Sequence, residues 1–300
     1  MKFEWIYRNK QPQRLRDFLN ERGLSRSQLK KMKFHGRNLF VNHHYRLTNY
    51  YLHYGNVVTM VLNDEAPAPS LVPSNVPLKV IYEDNHFLVV DKPFGVDSIP
   101  SVQHPTDTMA NWVKGYLIRN HHSRGAVHII GRLDRNTSGL MLFAKHGYAH
   151  SLIDQQRHTG QLKKFYTALV SQPFGAIQHG WINLPLQPSR EFYMRGEARV
   201  GGKTSISEYW VQRQWHHAAQ VRVKILTGRT HQIRIHFASI GHPLLGDDLY
   251  FGPQTLIQRQ ALHCSELRFY HPFLQREVCF RSPLPSDLRK LINNLNNNEN

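Results

Sequence analysis

Between residues 63 and 77 the chain runs NDEAPAPSLVPSNVP, with four prolines among small and polar residues. Proline locks φ and cannot donate a backbone hydrogen bond, so neither a helix nor an inner strand passes through such a stretch. Residues 63–77 therefore read as a flexible linker. The chain must then build its structure in two parts, a short one over 1–62 and a long one over 78–290. The long part has ample length for a core of its own.

In QRLRDFLNERGLSRSQLKKMKFHG of the short part, Leu15, Phe18 and Leu19 fall at helical spacing, and Gly23 ends that helix. Ser25 is placed to cap a second helix through Leu29 and Met32, leaving Arg26, Lys30, Lys31 and Lys33 on its outer surface. NLFVN and GNVVTMVL follow as short strands. A lysine-rich helix face is ordinarily only a solvated surface. Here the whole chain is basic, with 38 Lys and Arg against 21 Asp and Glu and a net charge of +17. That balance favours a polyanionic partner, most simply nucleic acid. An apolar content of 40% argues against a largely disordered chain.

Cys264 and Cys279 form no CxxC pair, and the 20 histidines show no HExxH or Cys/His cluster. No disulfide framework and no metal site are expected, which suits a reducing cytoplasm. Without an apolar run of about 18 residues, neither membrane spanning nor secretion is expected, the N-terminus having no signal-peptide core.

In the long part, LKVIYEDNHFLVVDKP reads as two strands joined at Asp84-Asn85, and HGYAHSLIDQQRHTG as a helix ended by Gly160. KKFYTALV is a buried strand, and HAAQVRVKIL another. GRTHQIRIHFASIGHP fits both periods; its length and its Gly-His-Pro stop favour a helix. The closing NNLNNNEN reads as a disordered tail over 291–300.

The stretch GRLDRNTSGLMLFAK, residues 131–145, is where chemistry could sit, although read alone it fits a capped turn better. Its one acid, Asp134, sits between Arg132 and Arg135 on a loop that turns through Asn136, Thr137, Ser138 and Gly139 into a buried strand. An aspartate beside a turn is usually a local cap, but a loop at the mouth of a sheet is also where function concentrates. Both arginines can engage a phosphate or the carboxylate. Tyr166 in KKFYTALV, read alone, is a core residue. Arg234, facing away from Ile233 and Phe237 on a helix, needs a polar partner.

GRLDRNTSGLMLFAK, KKFYTALV, TGRTHQIRIHFASIGHPLLGDDLY and QALHCSELRFYHP occur in this order and together resemble the RluA-type family of RNA pseudouridine synthases, over roughly residues 78–285. LSRSQLKKM, HGRNLFVNHH and HYGNVVTM resemble an RNA-binding module of the ribosomal-protein S-four type. The resemblance implies an α+β fold: a mixed, mainly antiparallel sheet with flanking helices, preceded by a small α/β RNA-binding domain. It implies a cofactor-free isomerase that breaks the glycosidic bond of a uridine in ribosomal RNA, rotates the base and rejoins it through carbon 5. Transfer RNA as substrate, or a non-catalytic RNA-binding or ribosome-assembly role, stand as alternatives.

By the same resemblance Asp134 is the reactive carboxylate, attacking the sugar, attacking the base or removing a proton from the sugar. Tyr166 stacks on the uracil, and Arg234 pairs with Asp134. Arg132 either fills the space the base leaves or holds a phosphate. Arg229 and His231 shape the pocket or touch RNA, while Arg26, Lys30 and Lys31 bind RNA from the module. Asp247 in LLGDDLY could be a second acid, but GDD before an aromatic reads first as a turn. One departure stands out: the family commonly has a histidine before Arg-Leu-Asp, where this chain has Gly131, and a change in packing or RNA contacts is expected there. A monomer is expected.

Overall fold

The computed structural model describes the chain except residues 35–37, 64, 66–69, 121–125, 189–195, 199–200 and 299–300, and describes the main chain alone at 33–34, 188 and 196–198. Its centre is a ten-stranded sheet. The main path runs His179–Asn183, Ile206–Trp215, Ala218–Ile225, Lys163–Ser171, Leu262–His271, Ser138–Ala144, Phe87–Lys92, Val80–Glu83. Every pairing is antiparallel except that of Ser138–Ala144 with Leu262–His271, which is parallel and only two residues long, at Ser138 and Gly139. Beyond Gly139 the two strands diverge and His128–Ile129 comes in beside Ser138–Ala144. The loop of residues 131–137 emerges from that opening.

The strand Ser138–Ala144 is buried at every position, because both faces of the sheet are covered there. Met109, Val113 and Leu117 of the helix Met109–Arg119 and Ala149 and Ile153 of the helix Gly147–Thr159 pack in the same core as Leu140, Leu142 and Phe143. GRTHQIRIHFASIGHP does resolve as a helix, Gln232–Ser239, with Ile233 and Phe237 in that core. Among the described residues no helix is long and apolar enough to cross a membrane.

The first 62 residues have a core of their own. Leu15, Phe18 and Leu19 of the helix Leu15–Glu21 meet Val58 and Met60 of a four-stranded sheet. Ser25 caps the helix Arg26–Phe34 as expected, its Oγ accepting from Gln28 N at 3.3 Å while Gln28 returns a bond to Ser25 N. This unit rests directly on the helix Gly147–Thr159. Tyr148 Oη donates to Arg22 O and Ser151 Oγ to Gly23 O, each at 2.8 Å. Gly23 has φ +91°, and a Cβ there would lie 2.3 Å from Leu152, so only glycine both turns the chain and allows the contact.

Two expectations change. The described part of the 63–77 segment is pinned rather than flexible: Ser74 N donates to Asn111 O, Val72 O accepts from Asn111, and Glu65 takes Gly147 N and His128. Proline removed secondary structure there without removing carbonyls for helix Met109–Arg119 to bind. The disordered tail expected over 291–300 is helical through Asn297, in Ser286–Asn297. Leu288, Leu291 and Leu295 recur at helical spacing and bury against Leu169, Ala218 and Trp215, and that stripe outweighs the asparagine-rich composition. Residues 64, 66–69 and 299–300 lie outside the described residues.

Where the first 62 residues meet the sheet, Phe3, Tyr148, Phe273, His86 and His146 form one aromatic cluster. His146 Nδ1 accepts from Ala149 N at 3.1 Å, so its proton sits on Nε2 and is given to His86 Nδ1 at 3.0 Å. Burial, with His86 beside it, lowers the His146 pKa to about 4; burial lowers His236 to about 4 as well. The folded state holds these rings neutral, whereas an unfolded histidine titrates near 6.5. Between those values the unfolded chain binds more protons, so stability is full above about 6.5 and is lost as pH falls towards 4. The melting temperature is expected to drop from pH 7 to pH 5, and less steeply in His146→Asn, whose amide oxygen keeps the helix cap; thermal melts across that range check this.

Candidate active site

Asp134 lies on a loop whose main chain is fixed almost residue by residue. Ser98 Oγ accepts from Leu133 N at 2.9 Å and donates to Leu133 O at 2.6 Å. Lys92 Nζ donates to Arg135 O at 2.8 Å, and also to Pro93 O and Val96 O. Arg259 Nη1 donates to Asn136 O at 3.0 Å, and Thr137 N closes the turn onto Asp134 O at 3.0 Å. Burial of Leu133 anchors the loop from below. The turn thus spans 134–137, two residues earlier than the sequence suggests, and its strand starts at Ser138.

The Asp134 carboxylate is 26% exposed, and its Oδ2 lies 3.6 Å from Arg234 Nη1. Arg234 is more tightly bound elsewhere. Its Nε and Nη2 donate to the two oxygens of Asp247, each at 2.7 Å, and Asp247 is completely buried. The guanidinium also lies over the Tyr250 ring, 5.0 Å from its centre. Burial works against the Arg234 charge, but the Asp247 bonds outweigh it and raise the pKa above its ordinary value. Asp247 was expected as a turn residue. It does start the 3-10 turn Asp248–Tyr250, and its side chain is in addition the first partner of Arg234. With two nitrogens committed to Asp247, Arg234 orients Asp134 from one side and leaves carboxylate edge free.

Tyr166 is buried in the same core as Leu133 and Leu140 and pairs across the sheet with Cys264. Burial first, then the neighbouring Cys264 and Asp134, push its phenol well above the ordinary range, so it stays neutral. His231 has φ +54° and Nδ1 3.0 Å from Tyr250 Oη. Burial lowers its pKa while Asp134 pulls it up, placing the ring within the field of that carboxylate. Arg132 is exposed and makes no hydrogen bond or ion pair with another described residue. Arg135 turns away to Asp97 at 3.2 Å. Arg229 is exposed and bonds Thr204 O.

The structure therefore brings Asp134, Arg234, Tyr166 and His231 into one neighbourhood. Arg26, Lys30 and Lys31 are exposed on a separate element, the helix Arg26–Phe34. Sequence reasoning missed Asp247, Lys92, Ser98 and Arg259. A signal existed for Lys92: a lysine ending the apolar strand FLVVDK has to find partners. Burial lowers its pKa to about 7, Asp134 acting in the other direction.

Removing one member of a buried ion pair strands the other charge, at a cost of about 3–5 kcal/mol. Asp247→Ala is therefore expected to lower stability by that amount in urea unfolding. Asp134→Asn, at a partly open position, is expected to cost under about 1 kcal/mol.

Residues 86–239 match the family model described as RNA pseudouridylate synthase. A Bacillus subtilis protein named "Uncharacterized RNA pseudouridine synthase YjbO" is 35% identical over 93% of this chain and 98% of its own length. A Pseudomonas aeruginosa protein named "Ribosomal large subunit pseudouridine synthase D" is 35% identical over 80% of this chain and 78% of its own. The solved structure "Human RNA Pseudouridylate Synthase Domain Containing 4" shares the fold, with a TM-score of 0.59 at 19% identity, covering 72% of this chain and 92% of that one. A mixed, mainly antiparallel sheet with flanking helices, carrying these motifs across most of its length, belongs to the RNA pseudouridine synthase family, and the chain is an RNA pseudouridine synthase.

Proposed function

We propose that the protein converts specific uridines of large-subunit ribosomal RNA to pseudouridine, with Asp134 as the reactive group. The observation that carries this is the Asp134 carboxylate, partly open on a loop with its main chain fixed, 3.6 Å from an arginine already tied to Asp247. The large-subunit target is supported by the name of the Pseudomonas aeruginosa relative.

A uracil must leave its stack before a side chain reaches it, which costs a few kcal/mol. Arg132, exposed and unengaged, is suited to fill the vacated space or to hold a phosphate. Tyr166 offers a neutral ring for the base, and stacking on an aromatic is worth about 1–3 kcal/mol. Cleavage of the bond between N1 and the sugar leaves an electron-poor C1′, which an ionised carboxylate stabilises, by attack or by removing a proton from the sugar. The freed uracil turns and C5 bonds to C1′. The hydrogen on C5 then leaves as a proton, and N1 takes one up. Arg234 holds the carboxylate in place, and His231 and Arg229 border the pocket. No external electron or group carrier enters this balance.

Residues 1–62 act as an RNA-binding module of the ribosomal-protein S-four type, with Arg26, Lys30 and Lys31 facing the RNA. The sequence resemblance, the exposed basic helix and the net charge of +17 support this. The protein works in the cytoplasm, a reading favoured by its two free cysteines.

Two measurements test the proposal. Asp134→Asn is expected to bind ribosomal RNA within about twofold of wild type and to release no tritium from 5-tritiated uridine, a loss beyond about 10⁴-fold. Tritium release at the wild-type rate from that variant overturns the assignment. Replacing Arg26, Lys30 and Lys31 together with glutamine is expected to weaken RNA binding at least about tenfold. The slope of log affinity against log salt should also flatten by roughly 2, at roughly 0.7 per single-strand phosphate contact. An unchanged slope excludes that helix from the interface.

A further inference from the structure

Gly131 departs from the usual pattern, and its surroundings show what the missing side chain makes room for. Its φ lies outside the left-handed region, so the need is for space. A Cβ there would lie 2.4 Å from Lys164 Nζ and 3.4 Å from its Cε. The end of the Lys164 side chain therefore fills the volume beside Gly131.

Lys164 is only 8% exposed. Lysines are almost never so buried without a partner, and the other buried lysines follow that rule. Lys92 has three carbonyls, Lys114 the carbonyl of Leu71, and Lys145 the carboxylate of Glu83. Lys164 makes no hydrogen bond or ion pair with another described residue. The ionisable group that acts on it most is the Cys264 thiol, which burial pushes up to about 11 and so keeps uncharged near neutral pH. Arg157 adds charge of the same sign. Burial accordingly lowers the Lys164 pKa.

The position is not arbitrary. Lys164 precedes Tyr166 by two residues on one strand, so both side chains leave the same face of the sheet. Gly131 immediately precedes Arg132 and stands at the root of the Asp134 loop. This is the opening left where Ser138–Ala144 parts from Leu262–His271. Gly131 is partly exposed and Arg132 exposed. Two cations without an anion thus flank one short piece of main chain.

We propose that Lys164, given room by Gly131, binds a backbone phosphate of the RNA next to the target uridine, together with Arg132. This rests on the chain acting on RNA, and it names the contact that supplies the missing counter-charge. A four-carbon stem lets the ammonium swing towards a phosphate that arrives at Arg132. Desolvation beforehand makes the gain on pairing larger than at an open surface.

The test uses the full chain and a ribosomal RNA fragment that the wild type modifies. Lys164→Met keeps the shape and removes the charge. It is expected to raise KM and the RNA Kd about tenfold, to flatten the salt slope by roughly 0.7, and to change kcat less than about twofold. Its melting temperature should not fall, since an unpaired buried charge has been removed. Gly131→Ala, which displaces the ammonium, should raise KM in the same direction. An unchanged Kd and salt slope in both variants overturns the proposal. So does a fall in kcat at constant KM, which would mark Lys164 as packing for Tyr166. If Lys164→Met melts lower, the Gly131→Ala result decides. A wild type that binds RNA but releases no tritium would sink the functional reading instead, and the Kd and salt slope of the variants would still decide the role of Lys164.

Discussion

The site depends on how Arg234 divides its hydrogen bonds. A guanidinium with 5% exposure needs a fully committed anion, and Asp247 provides one through two bonds of 2.7 Å. Because that pair is closed on itself, its geometry does not change with what happens at Asp134. The second carboxylate, at 3.6 Å, meets a fixed positive edge without being locked to it. Such an arrangement is preorganised: the charge beside the Asp134 carboxylate is already desolvated and already in place. A single salt bridge between Asp134 and Arg234 would hold the carboxylate harder and leave less of it for substrate.

The same division of labour governs the loop. Ser98, Lys92 and Arg259 bind main-chain atoms of residues 133, 135 and 136, and none of them donates to the Asp134 carboxylate. Arg259 is itself held by Asp287, which belongs to the C-terminal helix. Through that chain of contacts a helix with an asparagine-rich end supports the turn at Asp134. Packing and polar satisfaction are therefore not separable here: the residues that satisfy buried carbonyls are the ones that aim the acid.

Much of this was legible beforehand, and the reasons differ by residue. Asp134, Tyr166 and Arg234 stand in ordered motifs, so their coming together in one neighbourhood could be expected without coordinates. The helix at Gln232–Ser239 was legible because Ile233 and Phe237 share a face and Gly241 stops the run. Asp247 was not, because GDD before an aromatic satisfies the local rule for a turn and nothing in the chain ties it to a residue thirteen positions earlier. Ser98, Lys92 and Arg259 act on backbone carbonyls, which have no sequence signature at the receiving end. The tail misled for a different reason. Composition averages over all positions, whereas Leu288, Leu291 and Leu295 matter only as one stripe. The linker misled because proline rules out regular structure but says nothing of attachment.

The short parallel seam between Ser138–Ala144 and Leu262–His271 also sets an order of events. Residues on its two sides are 125 positions apart, as in the bond between Ser138 and His263, and Arg259 and Cys264 come from the same late stretch. Contacts that distant in sequence close last, after local strands and helices have formed. During synthesis the carboxylate emerges early, with Ser98 and Lys92 already made, yet Arg234, Asp247 and Arg259 follow only later, so the turn is fully braced only when most of the polypeptide has been made. Up to that point Asp134 has no fixed positive edge beside it, and the acid stands on a loop held from one side only.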